Sequence, residues 1–318
     1  MELAILTSGG DAPGMNAVIR SFVRQGLLGQ HRVWGILRGL EGLVRGTRQE
    51  LKTESVADII MTGGTMLHTC RFGDFHSPTT QQMAVKQMRD WGLDGLAVIG
   101  GNGSLRAAHA ISAAGFPVVG IPASIDNDVY GTDDCIGFDT AVNNITASID
   151  KIRDTASSHE RIFVVEVMGN RSGALAIGAG LAAGAEAIVI PERPVNPEVI
   201  AERLQTTHAR GKKHSFIVVA EGADRAERLA NELNGMTGFE VKWVVLGHTQ
   251  RGGPPSAKDR LLGSVFGSAA VSSLEQGAHG VMIGVQNGKT CWVPLASVAE
   301  SEKPAQFDWL DLAEQLAL

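Results

Sequence analysis

Three short segments, each after an apolar run, carry groups able to bind or move a charged ligand. The first is Thr7-Ser8-Gly9-Gly10-Asp11-Ala12-Pro13-Gly14-Met15-Asn16. Its glycines permit tight turns and leave backbone N–H groups open to an anion where a helix begins. It is neither GxGxxG nor a Walker A motif, so an ordinary strand-to-helix turn explains it equally well. The second, Gly100-Gly101-Asn102-Gly103-Ser104, has the same design, with a plain helix cap at Ser104 as its alternative. The third, Pro122-Ala123-Ser124-Ile125-Asp126-Asn127-Asp128, sets two carboxylates two residues apart. On extended backbone both point the same way. One can then take a proton from a bound hydroxyl while the other organises metal or water. The alternative is an Asx-rich turn that caps itself. Together the three loops imply a polyanionic ligand, a hydroxyl acceptor and phosphoryl transfer.

The elements that must hold these loops alternate from end to end. Nearly continuous Val- and Ile-rich runs predict strands at Leu3–Thr7, Val33–Leu37, Leu96–Ile99, Val118–Ile121, Ile162–Val167, Ala187–Ile190, Phe216–Ala220, Trp243–Leu246 and Val281–Val285. Such runs suit strands buried on both faces of a parallel sheet. Amphipathic stretches lie between them. One has Ile19, Val23 and Leu27 on one stripe and Arg20 and Arg24 on another; others cover Thr79–Trp91, Ser104–Ala114, Ala141–Thr155, Pro197–Ala209, Asp224–Leu233 and Ala257–Glu275. The alternation predicts an α/β fold. There are too many strands for one compact sheet, so two similar domains are expected. The break is placed near residues 138–140, with a return to the first domain around residue 251.

Composition narrows the function. The chain has 318 residues, 44% of them hydrophobic and 19% charged, which is globular. A net charge of −6 argues against nonspecific nucleic-acid binding. Cys70, Cys135 and Cys291 are far apart, with no zinc or disulfide spacing, which suits reduced thiols in the cytoplasm. The opening MELAILTSGGD lacks the marks of a signal peptide. The smoothest apolar run, Ala174–Ile190, is too short and too rich in Gly and Ala for a membrane span; it reads as a small-residue helix followed by a strand.

With TSGGDAPGMN, GGTMLHTCRF (Gly63–Phe72), GGNGS, SIDND, SSHER (Ser157–Arg161), VEVMG (Val165–Gly169), AEG (Ala220–Gly222), LGHTQRGG (Leu246–Gly253) and FDWL in this order, the chain resembles the bacterial-type 6-phosphofructokinases over essentially its whole length. The resemblance implies two Rossmann-like domains, each a mostly parallel sheet flanked by helices. A nucleotide domain would span residues 1–138 plus about 251–301, and a sugar-phosphate domain residues 139–250 plus about 302–318. It further implies a homotetramer and glycolytic, Mg²⁺-dependent transfer of the ATP γ-phosphoryl group to the 1-hydroxyl of fructose 6-phosphate.

Carried over residue by residue, Asp126 is the base, with Ser124 and Asp128 in the same loop. Arg71 stabilises charge on the phosphates. Gly10, Phe72, Gly101, Asn102, Gly103 and Ser104 complete the nucleotide side. Met168 and Gly169 shape the sugar pocket, and Glu221 accepts from sugar hydroxyls. His248 and Arg251 grip the 6-phosphate, with Arg161 reaching in from a neighbouring subunit and Lys242 in place of an intersubunit Arg. Arg20, Arg24, Arg153, Glu186, Arg210 and Lys212 match the family's inter-subunit site for ADP or phosphoenolpyruvate, with a solvated basic helix face as the bland alternative.

The chain also departs from the family pattern. Asn102 stands where the family has the Asp of its Mg–nucleotide site, and Ser124 where Thr is usual. Pyrophosphate-dependent members carry Asp and Lys where this chain has Gly103 and Ala123, which favours a nucleotide donor. Because of Asn102, a weakly active or non-catalytic regulatory subunit that senses sugar phosphate stands as the alternative to the kinase.

Overall fold

The computed structural model describes residues 1–317. In chain order its elements are β1 (Glu2–Thr7), α1 (Met15–Leu28), β2 (Arg32–Ile36), α2 (Gly39–Arg45), β3 (Arg48–Leu51), α3 (Pro78–Asp90), β4 (Gly95–Gly100), α4 (Asn102–Ala113), β5 (Val118–Pro122) and α5 (Phe138–His159). There follow β6 (Ile162–Val167), α6 (Ala174–Ala183), β7 (Ala187–Val189), α7 (Pro197–Ala209), β8 (Ser215–Ala220), α8 (Ala226–Thr237), β9 (Val241–Val245), α9 (Ala257–Glu275), β10 (Val281–Gln286), β11 (Lys289–Pro294), α10 (Leu295–Glu300) and α11 (Asp308–Leu316). The chain divides into two compact units, Met1–Thr140 with Arg251–Lys303, and Ala141–Gln250 with the chain from Pro304 onward.

The first unit holds a seven-stranded sheet in the order β11-β10-β5-β4-β1-β2-β3. Its five inner strands are parallel, while β3 and β11 run antiparallel at the two edges. Every residue of β4 and β5 is buried, as their unbroken apolar sequences require. On α1, Ile19, Phe22 and Val23 are buried, and the helix packs along α9. Asp259 of α9 is almost wholly buried and accepts hydrogen bonds from Gly137 N (2.8 Å), Thr140 N (2.8 Å) and Thr140 Oγ1 (2.5 Å), which fixes the start of α5. Burial still pushes its carboxyl above the ordinary range.

The second unit holds a four-stranded, all-parallel sheet in the order β7-β8-β6-β9. Its helix α6, ALAIGAGLAA, is buried along most of its length and packs on β8. Helices α7 and α8 bury Ile200, Leu204, Leu229 and Leu233 against Val164, Ile217 and Val219 of the sheet. The nine expected strands are all present, and β3 and β11 are additional. Among the described residues, no helix is long and apolar enough to cross a membrane.

Candidate functional site

In the first unit, the strand order puts β1, β4 and β5 side by side with parallel polarity, so their three loops leave one end of the sheet together. The loop after β1 is held by a strap formed by residues 62–71. Asn16, 3% exposed, points Nδ2 at Thr62 O, Thr62 Oγ1 and Gly63 O (3.2, 2.9 and 3.2 Å) and accepts Met66 N on Oδ1 (2.8 Å). Thr7 Oγ1 donates to His68 O (2.9 Å), and Thr69 Oγ1 donates to Gly9 O (2.9 Å). The strap ends at Arg71, which is exposed, and at Phe72, which packs on the core.

The loop after β4 nests on the first. A Cβ on Gly100 would lie 2.5 Å from Ser104 Oγ and 2.6 Å from Ser8 O, so only glycine fits. Gly101 O accepts the N–H groups of Ser104 and Leu105 (3.0 Å each), and Ser104 is buried. The space beside Gly103 is open. Arg251, expected on the sugar phosphate, belongs to this unit and donates Nη1 to Asp11 O (3.0 Å) beside Gly10.

The loop after β5 is not extended, as expected for Asp126 and Asp128; it turns, with Asn127 at φ 48°. The self-capping alternative is therefore the correct local geometry. Asn127 Oδ1 accepts Cys135 N (2.9 Å), and its Nδ2 donates to Asp133 O (3.0 Å). Asp128 folds back: Ser124 Oγ donates to its Oδ1 (3.0 Å) and Asn102 Nδ2 to its Oδ2 (2.8 Å), with Asp128 O also 3.2 Å from Asn102 Nδ2. Asp126 N donates to Ser124 Oγ (3.3 Å).

The second unit separates its candidates by sheet end. Met168, Gly169 and Glu221 follow β6 and β8 at their carboxyl ends, and His248 lies exposed in the turn after β9. Met168 N donates to Gln250 Oε1 (3.1 Å), and Glu221 Oε1 accepts Asn170 N (3.1 Å). Gly169 has φ 135°, and a Cβ there would meet Ser172 O at 2.3 Å. Arg161 and Lys242, in contrast, lie at the amino ends of β6 and β9. Both pair with Glu240, at 2.8 and 2.9 Å. The Arg161 hydrogen bond leads in holding the Glu240 carboxyl down to about 2. Sequence reading missed Glu240; its one signal is a carboxylate two residues before Lys242, just ahead of β9.

At that same amino end, buried Glu186 pairs with Lys212 and accepts Phe216 N. Arg153 donates to Ala183 O and lies 4.7 Å over the Phe216 ring. Arg210 is exposed nearby in sequence, whereas Arg20 and Arg24 lie on α1 in the first unit.

For a resident divalent cation the donors are poor. Hard cations favour several carboxylate or carbonyl oxygens. Both Asp128 oxygens already accept from Asn102 and Ser124, and Asn102 turns its nitrogen, not its oxygen, toward Asp128. Among the described residues, no group of three or more His, Cys, Asp or Glu could hold a metal.

Fold and loops define a class: a two-unit α/β protein with glycine-rich loops at the carboxyl ends of parallel strands. Residues 2–274 match the family described as Phosphofructokinase. An ATP-dependent 6-phosphofructokinase of Brevibacillus brevis is 47% identical over 317 residues, covering 100% of this chain and 99% of that protein. The chain belongs to the phosphofructokinase family. A solved Pichia pastoris phosphofructokinase in the T-state superposes with a TM-score of 0.90 at 34% identity, over 94% of this chain and 35% of that one. The Saccharomyces cerevisiae phosphofructokinase gives 0.86 at 35%, over 94% and 45%. This chain thus spans less than half the length of either yeast polypeptide.

Proposed function

We propose that the chain transfers the γ-phosphoryl group of ATP to the 1-hydroxyl of fructose 6-phosphate, giving ADP and fructose 1,6-bisphosphate. The observation that carries this is full-length likeness, at 47% identity, to a protein named for that reaction. The first unit serves the nucleotide and supplies Arg251, and the second supplies the other sugar-phosphate residues. The phosphates rest on Gly10, the start of α4 (Gly101, Asn102, Gly103, Ser104) and Arg71, with Phe72 beside them. Asp126 takes the proton of the 1-hydroxyl as its oxygen bonds to the γ-phosphorus, and the bond from that phosphorus to the ADP oxygen breaks. Ser124 contacts the moving group, and Asp128 keeps Ser124 in place. Such transfer needs positioning and positive charge more than covalent help. Mg²⁺ enters with the nucleotide as part of the substrate.

Met168 and Gly169 shape the sugar site, Glu221 accepts from its hydroxyls, and His248 and Arg251 hold the 6-phosphate. Arg161 and Lys242 lie one strand length from Glu221, so they serve a neighbouring copy's site in a homotetramer. Glu186, Lys212, Arg153 and Arg210 serve an inter-subunit effector site for ADP or phosphoenolpyruvate, to which a neighbouring copy brings its Arg20 and Arg24. The protein works in the cytoplasm.

A coupled assay for fructose 1,6-bisphosphate, with ATP and pyrophosphate in separate reactions, tests the reading. Turnover of about 1–100 s⁻¹ with ATP alone is expected. Sugar-phosphate binding with no turnover from either donor would identify the regulatory subunit instead.

A further inference from the structure

Asn102 is the first residue of α4, and its amide nitrogen faces two oxygens of one residue: Asp128 Oδ2 at 2.8 Å and Asp128 O at 3.2 Å. Both partners are acceptors only, so the nitrogen must be the atom that faces them. The other carboxylate oxygen, Oδ1, accepts Ser124 Oγ at 3.0 Å, and that hydroxyl accepts Asp126 N at 3.3 Å. A continuous chain of hydrogen bonds therefore runs from Asn102 through Asp128 and Ser124 to the backbone of Asp126. Every link is neutral donor to acceptor, and the one formal charge in the first three residues, on Asp128, has a donor on each oxygen.

A carboxylate at position 102 would reverse the first link. Two carboxylates and a carbonyl would then face one another at hydrogen-bond distance, an arrangement that holds only with a proton or a cation between them. The amide removes that need.

We propose that Asn102 is a positioning residue that takes the place of a divalent cation at Asp128. It organises the loop carrying Asp126 with no metal held by the chain itself. Any Mg²⁺ used in the reaction is therefore held by the phosphates of the nucleotide rather than by a site in the empty protein. Only this last statement rests on the kinase reading; the clamp stands on the geometry alone.

Thermal melting of the nucleotide-free protein at neutral pH tests the inference, in EDTA and in MgCl₂ at matched ionic strength. Three proteins are compared: wild type, Asn102→Asp, and the swap Asn102→Asp/Asp128→Asn. Wild type is expected to melt at the same temperature in both buffers. Asn102→Asp is expected to melt lower in EDTA, on the order of 5 °C, and to recover in MgCl₂. The swap restores one donor amide and one acceptor carboxylate but leaves a carboxylate facing the main-chain oxygen of residue 128, so in EDTA it is expected to melt between Asn102→Asp and wild type and to gain less from Mg²⁺ than Asn102→Asp does. A wild type stabilised by Mg²⁺ would overturn the proposal, as would an Asn102→Asp protein as stable as wild type in EDTA. Should Asn102→Asp fail to fold in EDTA, a folded swap supports the clamp and an unfolded swap overturns it. Turnover is read separately: the expected melting pattern in a protein with no kinase activity refutes the proposed function and leaves the clamp standing.

Discussion

Asn16→Ala tests whether the strap over the first glycine loop positions Arg71. Asn16 is 3% exposed, and its side chain reaches Thr62 O, Thr62 Oγ1, Gly63 O and Met66 N at 2.8–3.2 Å. Its two amide hydrogens can make two good bonds among three acceptors, and Oδ1 makes a third. At about 1 kcal/mol each, the loss is about 3 kcal/mol before any cost of the orphaned Met66 N–H. For a unit of this size that lowers Tm by roughly 6–12 °C. Thr7 and Thr69 still tether the strap, through His68 O and Gly9 O, so Arg71 shifts rather than detaches. A displacement near 1 Å costs on the order of 10²-fold in rate. That loss is expected in kcat, because Arg71 is assigned to charge that develops in transfer. Asn16→Asp should be worse than alanine, because a buried carboxylate would face two carbonyls. Differential scanning fluorimetry and the coupled assay read both effects. Asn16→Ala melting within about 2 °C of wild type, or Asn16→Asp melting above Asn16→Ala, refutes the reasoning.

Asp126→Asn should lower kcat by about 10²–10⁴-fold with KM values little changed; a loss below tenfold in the coupled assay removes the general-base role. Glu240→Gln should release Arg161 and Lys242 and lower KM for fructose 6-phosphate severalfold, and an unchanged or raised KM contradicts that. The Glu240 carboxyl is held down to about 2 from an ordinary 4.5, so its stabilising contribution is full above the ordinary range and is lost as pH falls toward 2. Glu240→Gln should therefore show a flatter acid limb of Tm against pH, and a limb parallel to wild type refutes the pairing. Burial raises the Cys135 thiol to about 12, so Cys135 should resist alkylation at mildly alkaline pH until the protein unfolds. Peptide mapping showing Cys135 labelled in the native protein as fast as Cys70 speaks against its burial.

The parallel core was legible because β1, β4, β5, β6 and β8 are nearly continuous apolar runs, with β6 interrupted only by buried Glu166, as strands buried on both faces require. The edges were not. RQEL of β3 and KTCWVP of β11 are mostly polar or exposed, and they pair only because a neighbouring edge offers backbone partners. The loops were legible as glycine-rich segments after strands, yet their internal geometry was not. The Asx-rich SIDND segment announces a self-capping turn, but not that Asn127 turns left-handed and sends Asp128 back onto Ser124. Nor does GGNGS say which atom of the Asn102 amide faces inward, since that depends on what the fold places opposite it.

Strand polarity explains a further gap between reading residues and reading a site. Arg161 and Lys242 belong to the same small sheet as Glu221, and one of them precedes the very strand that leads to Met168. The family resemblance already sets Arg161 and Lys242 apart as intersubunit residues, and strand polarity supplies the physical reason. A strand of six residues such as β6, at about 3.3 Å per residue, separates its ends by roughly 16 Å, a span no arginine side chain covers. A ligand held at the carboxyl ends therefore cannot meet these cations within one chain. Glu240 meanwhile offsets half of their charge, which lets the half-buried Arg161 and the exposed Lys242 stand close together without a ligand. Parallel strands thus put Met168, Gly169 and Glu221 at one end of this sheet and Arg161, Lys242 and Glu186 at the other, so the two groups never face the same space.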